Sequence, residues 1–262
     1  MTLPLFQIDA FTDRLFSGNP AAVVPLDSWL SDEVMLNIAA ENNLAETAFY
    51  IPTEDGFHIR WFTPTVEVDL CGHATLAAAY VIFTVFNHPA DTIRFDSRSG
   101  ELLVESKDGW FTLDFPIDPY HVAVAPPALA ESLHAAVILE VHKGKTDYLV
   151  VLDTEEEVRN LEYDIIVLST IPARGIIVTA PGDEVDFVSR FFAPQSGIDE
   201  DPVTGSAHTT LIPYWAEKLS KTTLTAKQLS QRGGYLKCEL QGDRVKIGGQ
   251  ARLYLKGEIE IE

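Results

Sequence analysis

Glu46 lies in the segment Asn43-Leu44-Ala45-Glu46-Thr47-Ala48-Phe49, where Leu44, Ala45, Ala48 and Phe49 are apolar. A carboxyl group in such surroundings loses hydration, which raises its pKa toward neutrality and lets it give as well as take a proton. The plainer alternative is an edge-strand glutamate facing water. His73 follows Gly72 at a helix start, where the dipole favours a neutral imidazole able to donate or accept a hydrogen bond. Capping or packing is the competing role for that ring. Asp201 precedes Gly205 by four residues in Asp201-Pro202-Val203-Thr204-Gly205. It is placed to orient a histidine or a substrate hydroxyl, or only to complement a helix dipole.

Cys71, next to Gly72, invites an acid/base or nucleophile reading, since helix N-termini lower thiol pKa values. The corresponding position before Gly205 is Thr204, preceded by Pro202 and Val203, so a matched pair of thiols cannot form. Cys238 lies in an apparent strand, Tyr235 to Leu240, and reads as a small buried hydrophobe. Ser206 and His208 lack a GxSxG frame and have spacing ordinary for a helix surface, which speaks against a hydrolase pair. Neither CxxC nor HExxH occurs, and no GxGxxG or Walker motif, so no metal, no nucleotide and no other cofactor is expected. Two cysteines allow one disulfide at most and fit a reducing compartment.

The elements that must position these residues show an internal repeat. Arg60-Trp61-Phe62-Thr63-Pro64 reappears as Arg190-Phe191-Phe192-Ala193-Pro194, about half the chain later. Val23-Val24-Pro25-Leu26-Asp27 likewise matches Val150-Val151-Leu152-Asp153, and each is followed by an acidic helix start, two strands and the Phe-x-Pro. Both copies then reach a glycine that opens a helix, Gly72 in one and Gly205 in the other. Aligning Ile51-Pro52 with Ala180-Pro181 puts Glu46 opposite Gly175, so the carboxylate has no counterpart in the second copy.

Strands are expected at Leu5–Phe11, Ala21–Leu26, Ala48–Ile51, Phe57–Phe62, Glu101–Glu105 and Trp110–Phe115. Ser31 caps a first helix that shows Val34, Ile38 and Leu44 on one side. The helix after Gly72 is apolar all round from Ala74 to Phe86, so strands must wrap it. The acidic stretch Asp153 to Glu157 begins a solvated helix. No strand–helix–strand alternation argues for a doubly wound sheet. The expected fold is α+β: two pseudo-symmetric domains, 1–117 and 118–262, each a rolled, mainly antiparallel sheet around a central helix, the last strand being free to return to the first domain.

With 262 residues, 46% hydrophobic and 22% charged, the chain is neither disordered nor fibrous. Nineteen Lys and Arg against 39 Asp and Glu give a net charge of −20, which repels nucleic acid and anionic lipid, so neither is expected as a partner. No apolar run reaches the roughly 18 residues of a membrane span, and no address signal precedes the first strand, so a cytoplasmic protein is expected. A chain this acidic needs local donors to hold an acidic metabolite. The two glycine-led helix starts supply them without any basic side chain, and a pseudo-twofold would bring both to one cleft between the domains.

Five motifs occur together and in order: Ser17-Gly18-Asn19-Pro20-Ala21-Ala22-Val23, Asn43-Leu44-Ala45-Glu46-Thr47-Ala48-Phe49, Phe62-Thr63-Pro64, Cys71-Gly72-His73-Ala74-Thr75 and Asp201-Pro202-Val203-Thr204-Gly205-Ser206-Ala207. In these the chain resembles the PhzF-like isomerases of phenazine biosynthesis, from Gln7 to near the C-terminus. The resemblance implies the diaminopimelate-epimerase-like fold and a homodimer. It implies Glu46, His73 and Asp201 as catalytic residues, and Asn19, Gly72, Gly205 and Ser206 as contacts to a small carboxylate-bearing substrate. The activity it implies is a cofactor-independent isomerisation in the interdomain cleft, with Glu46 moving a proton between carbons. Pro202 breaks the two-cysteine pattern of the epimerases, and Ala45 stands where many members have serine, so the phenazine substrate itself does not carry over. Two other readings compete: a non-catalytic binder of an acidic metabolite or partner, and a racemase using Glu46 and Cys71.

Overall fold

The computed structural model describes residues 1–134 and 137–262, which divide into two compact units. One comprises Met1–Asp114 with Gly248–Glu262, the other Phe115–Ile247.

In the first unit β1 (Thr2–Ala10) lies antiparallel to both β2 (Asn19–Pro25) and the C-terminal strand Ala251–Glu260. The helix α1 (Asp32–Asn42) carries the chain over to β3 (Thr47–Thr53), which runs parallel to β2. β4 (Gly56–Phe62) returns as a hairpin on β3, and β5 (Glu67–Val68) pairs with its end. After the helix α2 (Gly72–Tyr80) come β6 (Thr92–Ser97), parallel to β4, then β7 (Gly100–Lys107) and β8 (Trp110–Pro116), each antiparallel to the strand before it.

Every residue of α2 from Gly72 to Ala79 is buried, and the helix packs on β1, β2 and β3. Four alanines in its nine residues let the strands approach on all sides, so hydrophobic cover replaces the polar face of a surface helix. A π-helical turn, Val81–Val85, ends the run, and Phe86 is exposed. On the outside of the sheet, α1 buries Met35, Ile38 and Ala39 over Leu3, Val24, Phe49 and Phe62. Ser31 Oγ accepts from the Val34 N–H at 3.3 Å, but Asn43 turns left-handed at φ 49°, so the helix stops before Leu44 and that residue is not part of its face.

The second unit contains β9 (His121–Val122), α3 (Pro127–Ser132), β10 (Glu140–Lys143), β11 (Asp147–Val151), α4 (Glu155–Arg159), α5 (Ile165–Leu168), β12 (Gly175–Pro181) and β13 (Phe187–Phe192). The long helix α6 (Gly205–Leu219), β14 (Thr223–Gln228), β15 (Gly234–Gln241) and β16 (Arg244–Gly249) follow. β11 and β12 are parallel, β12 and β13 antiparallel, and β13 and β14 parallel. The same succession links β2, β3, β4 and β6, so the sequence repeat is a repeat of topology.

Both units are therefore rolled, mainly antiparallel sheets around one central helix, the α+β fold of the epimerase type. Two local readings change. Each unit contains a parallel crossover, through α1 in one and through α4 and α5 in the other, which a search for regular alternation does not detect. The acidic start of α4 is also not wholly solvated: Glu155 is buried, accepting from Arg159 and, at 2.8 Å, from the Asp183 N–H.

Candidate active site

Four residues from three separate segments of the chain meet at the start of α2. Asn19 is the first residue of β2 and fully buried. It is delivered by Gly18, whose φ of 68° and whose 2.2 Å approach of a would-be Cβ to the Ala10 carbonyl leave room for glycine alone. Glu46 ends the connection from α1 to β3, its carbonyl accepting from the Ala22 N–H at 3.3 Å. Cys71 is the N-cap of α2, and His73 lies in its first turn.

The Asn19 amide nitrogen lies 3.1 Å from His73 Nδ1, and His73 Nε2 lies 3.2 Å from Glu46 Oε2. An amide NH2 only donates, so Nδ1 accepts and the ring proton sits on Nε2, the nitrogen on the carboxylate side. Burial alone pushes the His73 pKa down to about 3, and the ring is neutral at physiological pH. The neutral ring held by Asn19 stands against the carboxylate of Glu46, whose side chain is 12% exposed, with no hydrogen bond formed between Nε2 and Oε2. Cys71 Sγ lies 3.5 Å from the same Nδ1 that Asn19 contacts.

The start of α2 has no side-chain cap. The helices α1, α4 and α5 are capped by Ser31, Thr154 and Asp164, and α3 begins with a proline. The backbone donors at Gly72, His73 and Ala74 thus have no intrahelical partner and carry the positive end of the dipole. The first α2 turn is instead tied from within, Thr75 Oγ1 donating to the Cys71 carbonyl at 2.5 Å.

Asp201, Gly205 and Ser206 gather in the second unit. Asp201 is buried; its carboxylate accepts from Thr204 Oγ1 at 2.5 Å and its carbonyl from Gln228 Nε2 at 2.8 Å. Gln228 also accepts the Thr204 N–H at 2.8 Å, so Thr204, the residue before Gly205, is fixed on two sides. The start of α6 likewise lacks a side-chain cap. The expectation that no basic side chain serves this helix start is corrected by Arg174. Its Nη1 donates to Ser206 Oγ at 2.9 Å, while its Nε, 2.9 Å from Asp147 Oδ1, and its Nη2 fork onto the buried Asp147 carboxylate.

His208 is fully buried rather than on a helix surface. Its Nδ1 donates to the Thr204 carbonyl at 2.8 Å, and burial lowers its pKa to about 4. Ser206 is engaged by Arg174, so the two do not form a nucleophile and base. Cys238 is buried in β15, where loss of hydration raises its thiol pKa.

Sequence reasoning missed Arg174, Asp147, Thr204 and Gln228. Asp147 reaches Arg174 through the parallel register that sets Asp147 beside Gly175, a pairing that no motif marks. It also missed that Glu46, Cys71 and His73 place a carboxylate oxygen, a sulfur and a ring nitrogen within 4.8 Å of one another, because only paired-ligand spacings were sought.

A rolled sheet around a glycine-led helix in each unit is the epimerase-type fold. The phenazine biosynthesis-like family model, PhzC–PhzF, matches residues 8–257, and the chain belongs to that family. It is 51% identical over 261 residues to an uncharacterized isomerase of Pseudomonas aeruginosa, with 100% of both chains covered. A crystal structure of a PhzF-family phenazine biosynthesis protein from Enterococcus faecalis is similar at a TM-score of 0.97 and 47% identity, again over 100% of each chain. A hydroxyproline epimerase from Agrobacterium vitis, at 10% identity and a TM-score of 0.62 over 98% of this chain and 92% of that one, shares the fold alone.

Proposed function

We propose that the protein is a cofactor-independent isomerase that moves a proton on a small carboxylate-bearing metabolite, with Glu46 as the single acid/base group. The observation that carries this reading is the chain of contacts from Asn19 through neutral His73 to Glu46, at 3.1 and 3.2 Å. The neutral ring packed against one carboxylate oxygen keeps the group in place without neutralising it, so that it can take a proton from an activated carbon and return it at another. The uncapped start of α2 supplies backbone donors for the substrate's carboxylate beside that group. Asn19 and Gly72 serve by orientation and close approach. In the second unit, Asp201 is assigned to hold Thr204 and with it the α6 start, where Gly205, Ser206 and Arg174 offer further anion donors. A homodimer and a cytoplasmic location belong to the same proposal and rest on the family resemblance.

The test is carbon-bound hydrogen exchange. The protein is incubated in heavy water with a panel of small amino, hydroxy and unsaturated cyclic carboxylic acids, and the products are read by mass spectrometry. Deuterium incorporation that disappears in Glu46→Gln and persists in Cys71→Ala is the expected result. Exchange that survives Glu46→Gln overturns the assignment; exchange lost in Cys71→Ala transfers it to a two-group racemase. Binding of an acid with no exchange by any member of the panel marks a binding protein instead.

A further inference from the structure

Glu46, Cys71 and His73 offer one carboxylate oxygen, one thiol sulfur and one imidazole nitrogen, all within 4.8 Å of one another. Oxygen, nitrogen and sulfur donors of this kind are the set that zinc and its chemical neighbours take, usually four-coordinate. Three protein donors leave the fourth position open, as in sites that exchange a bound water.

We propose that the first unit binds a thiophilic divalent cation, of the zinc class, through Glu46, Cys71 and His73. Bonds of about 2.0–2.1 Å to oxygen and nitrogen set a tetrahedral edge of about 3.3 Å between those two donors. Glu46 Oε2 and His73 Nε2 stand 3.2 Å apart, so that edge is already formed. Cys71 Sγ rests 3.5 Å from the other ring nitrogen, so the third vertex requires the short cysteine side chain to turn toward Nε2. All three donors are largely withdrawn from water; only the Glu46 side chain, 12% exposed, opens the cluster to an arriving ion.

The proton count is explicit. Cys71 gives up its thiol proton to solvent and binds as thiolate, Glu46 binds as carboxylate, and the His73 ring binds neutral. The ring proton leaves Nε2 and is regained at Nδ1, so one proton is released per ion at a pH where Glu46 is ionised. Nδ1 then becomes a donor, and Asn19 meets it by rotating its amide to present the carbonyl oxygen. That is the outer-shell partner a metal-bound histidine requires. Binding by these residues does not depend on the isomerase reading. That the ion silences proton transfer does rest on it, because Glu46 cannot carry a proton while it is a ligand.

Cobalt(II) is the probe, titrated into the full-length, chelator-stripped and reduced protein. A near-ultraviolet thiolate-to-cobalt charge-transfer band that saturates at one equivalent and is displaced by zinc is expected. The band should vanish in Cys71→Ala and in Cys71→Ser, the latter keeping the side chain's size so that loss cannot be laid to misfolding. Cobalt affinity should fall by about tenfold to a hundredfold in Asn19→Ala, as for other outer-shell partners, and at least as far in Glu46→Gln and His73→Gln. Absence of the band in the wild type, its persistence in Cys71→Ala, or unchanged affinity in Glu46→Gln and His73→Gln overturns the site. Surface carboxylates of this acidic chain give cobalt no sulfur band, so adventitious binding counts against the proposal. Deuterium exchange by metal-free protein that shows no band leaves the acid/base reading standing without the metal site; a band without exchange does the reverse.

Discussion

The two units solve the same problem with nearly the same parts and then diverge at one place. In each, an arginine on the hairpin strand grips a glutamate in the segment between that strand and the central helix. Arg60 forks onto Glu67 at 2.7 Å through both Nε and Nη2, and lies over Trp29 and Phe62. Arg190 forks onto Glu200 at 2.7 and 2.9 Å, and lies over Tyr163 and Phe192. The helix starts differ: His73 Nε2 in one lies 3.2 Å from Glu46 Oε2, whereas Ser206 in the other accepts from Arg174. At Gly175, the position matching Glu46, a Cβ would sit 2.2 Å from the Phe191 ring. The second copy has packed an aromatic ring into the space a side chain would need, so it cannot carry the carboxylate. The clamp is scaffold and is kept by both copies, while the Glu46 carboxylate is confined to one by packing.

The sharpest break of this comparison is Glu46→Gln. Turnover or exchange should fall by about 10²–10⁴-fold, the usual worth of a positioned acid/base group, with melting temperature little changed. Arg190→Ala should remove about 3–5 kcal/mol of stability in chemical denaturation, since it leaves Glu200 charged and poorly hydrated; Arg60→Ala should cost as much if the clamps are equivalent. An unfolding midpoint unmoved by either change would show that the shared arginine is not structural.

Gly175→Ala should cost about 1–3 kcal/mol by overpacking against Phe191. The pair Gly175→Ala with Phe191→Leu should recover part of it, and no recovery would mean that the ring is not what excludes the side chain. The buried histidine gives a pH signature. Unfolded His73 takes a proton near pH 6.5 and the folded ring only near 3, so the unfolded state holds more protons between those values. Stability should therefore fall with decreasing pH in that window by about 1.4 kcal/mol per unit, and His73 should contribute no slope above it. His73→Gln should flatten the profile by that amount when denaturation is compared at pH 7 and pH 5. Smallest of all, Thr154→Ala should cost about 1 kcal/mol through its lost capping box, visible as a small drop in melting temperature, with the start of α6 unaffected.

What the sequence disclosed follows from which interactions are local. The repeat is legible because the clamp fixes a short contiguous string, Arg60 to Pro64 and Arg190 to Pro194, and because glycine opens each central helix. The wrapping of α2 is legible from its composition, as no other arrangement hides an apolar surface on every side. Glu46 stands out only because the second copy lacks it. Arg174 and Asp147 escape notice because their meeting depends on parallel strand register rather than on spacing, and the end of α1 at Asn43 is decided by a left-handed turn that an apolar period extended to Leu44 overlooks. β6, parallel to β4, has an alternating pattern in Thr92–Ser97 that lies just after a helix exit and is easily absorbed into a loop.

The strand Ala251–Glu260 completes the sheet of the first unit beside β1, and the amino group of Met1 donates to the Ile261 carbonyl at 2.6 Å. Proteolysis between Ile247 and Ala251 would therefore leave every strand that lies wholly in the second unit intact and strip a strand from the sheet that bears Glu46.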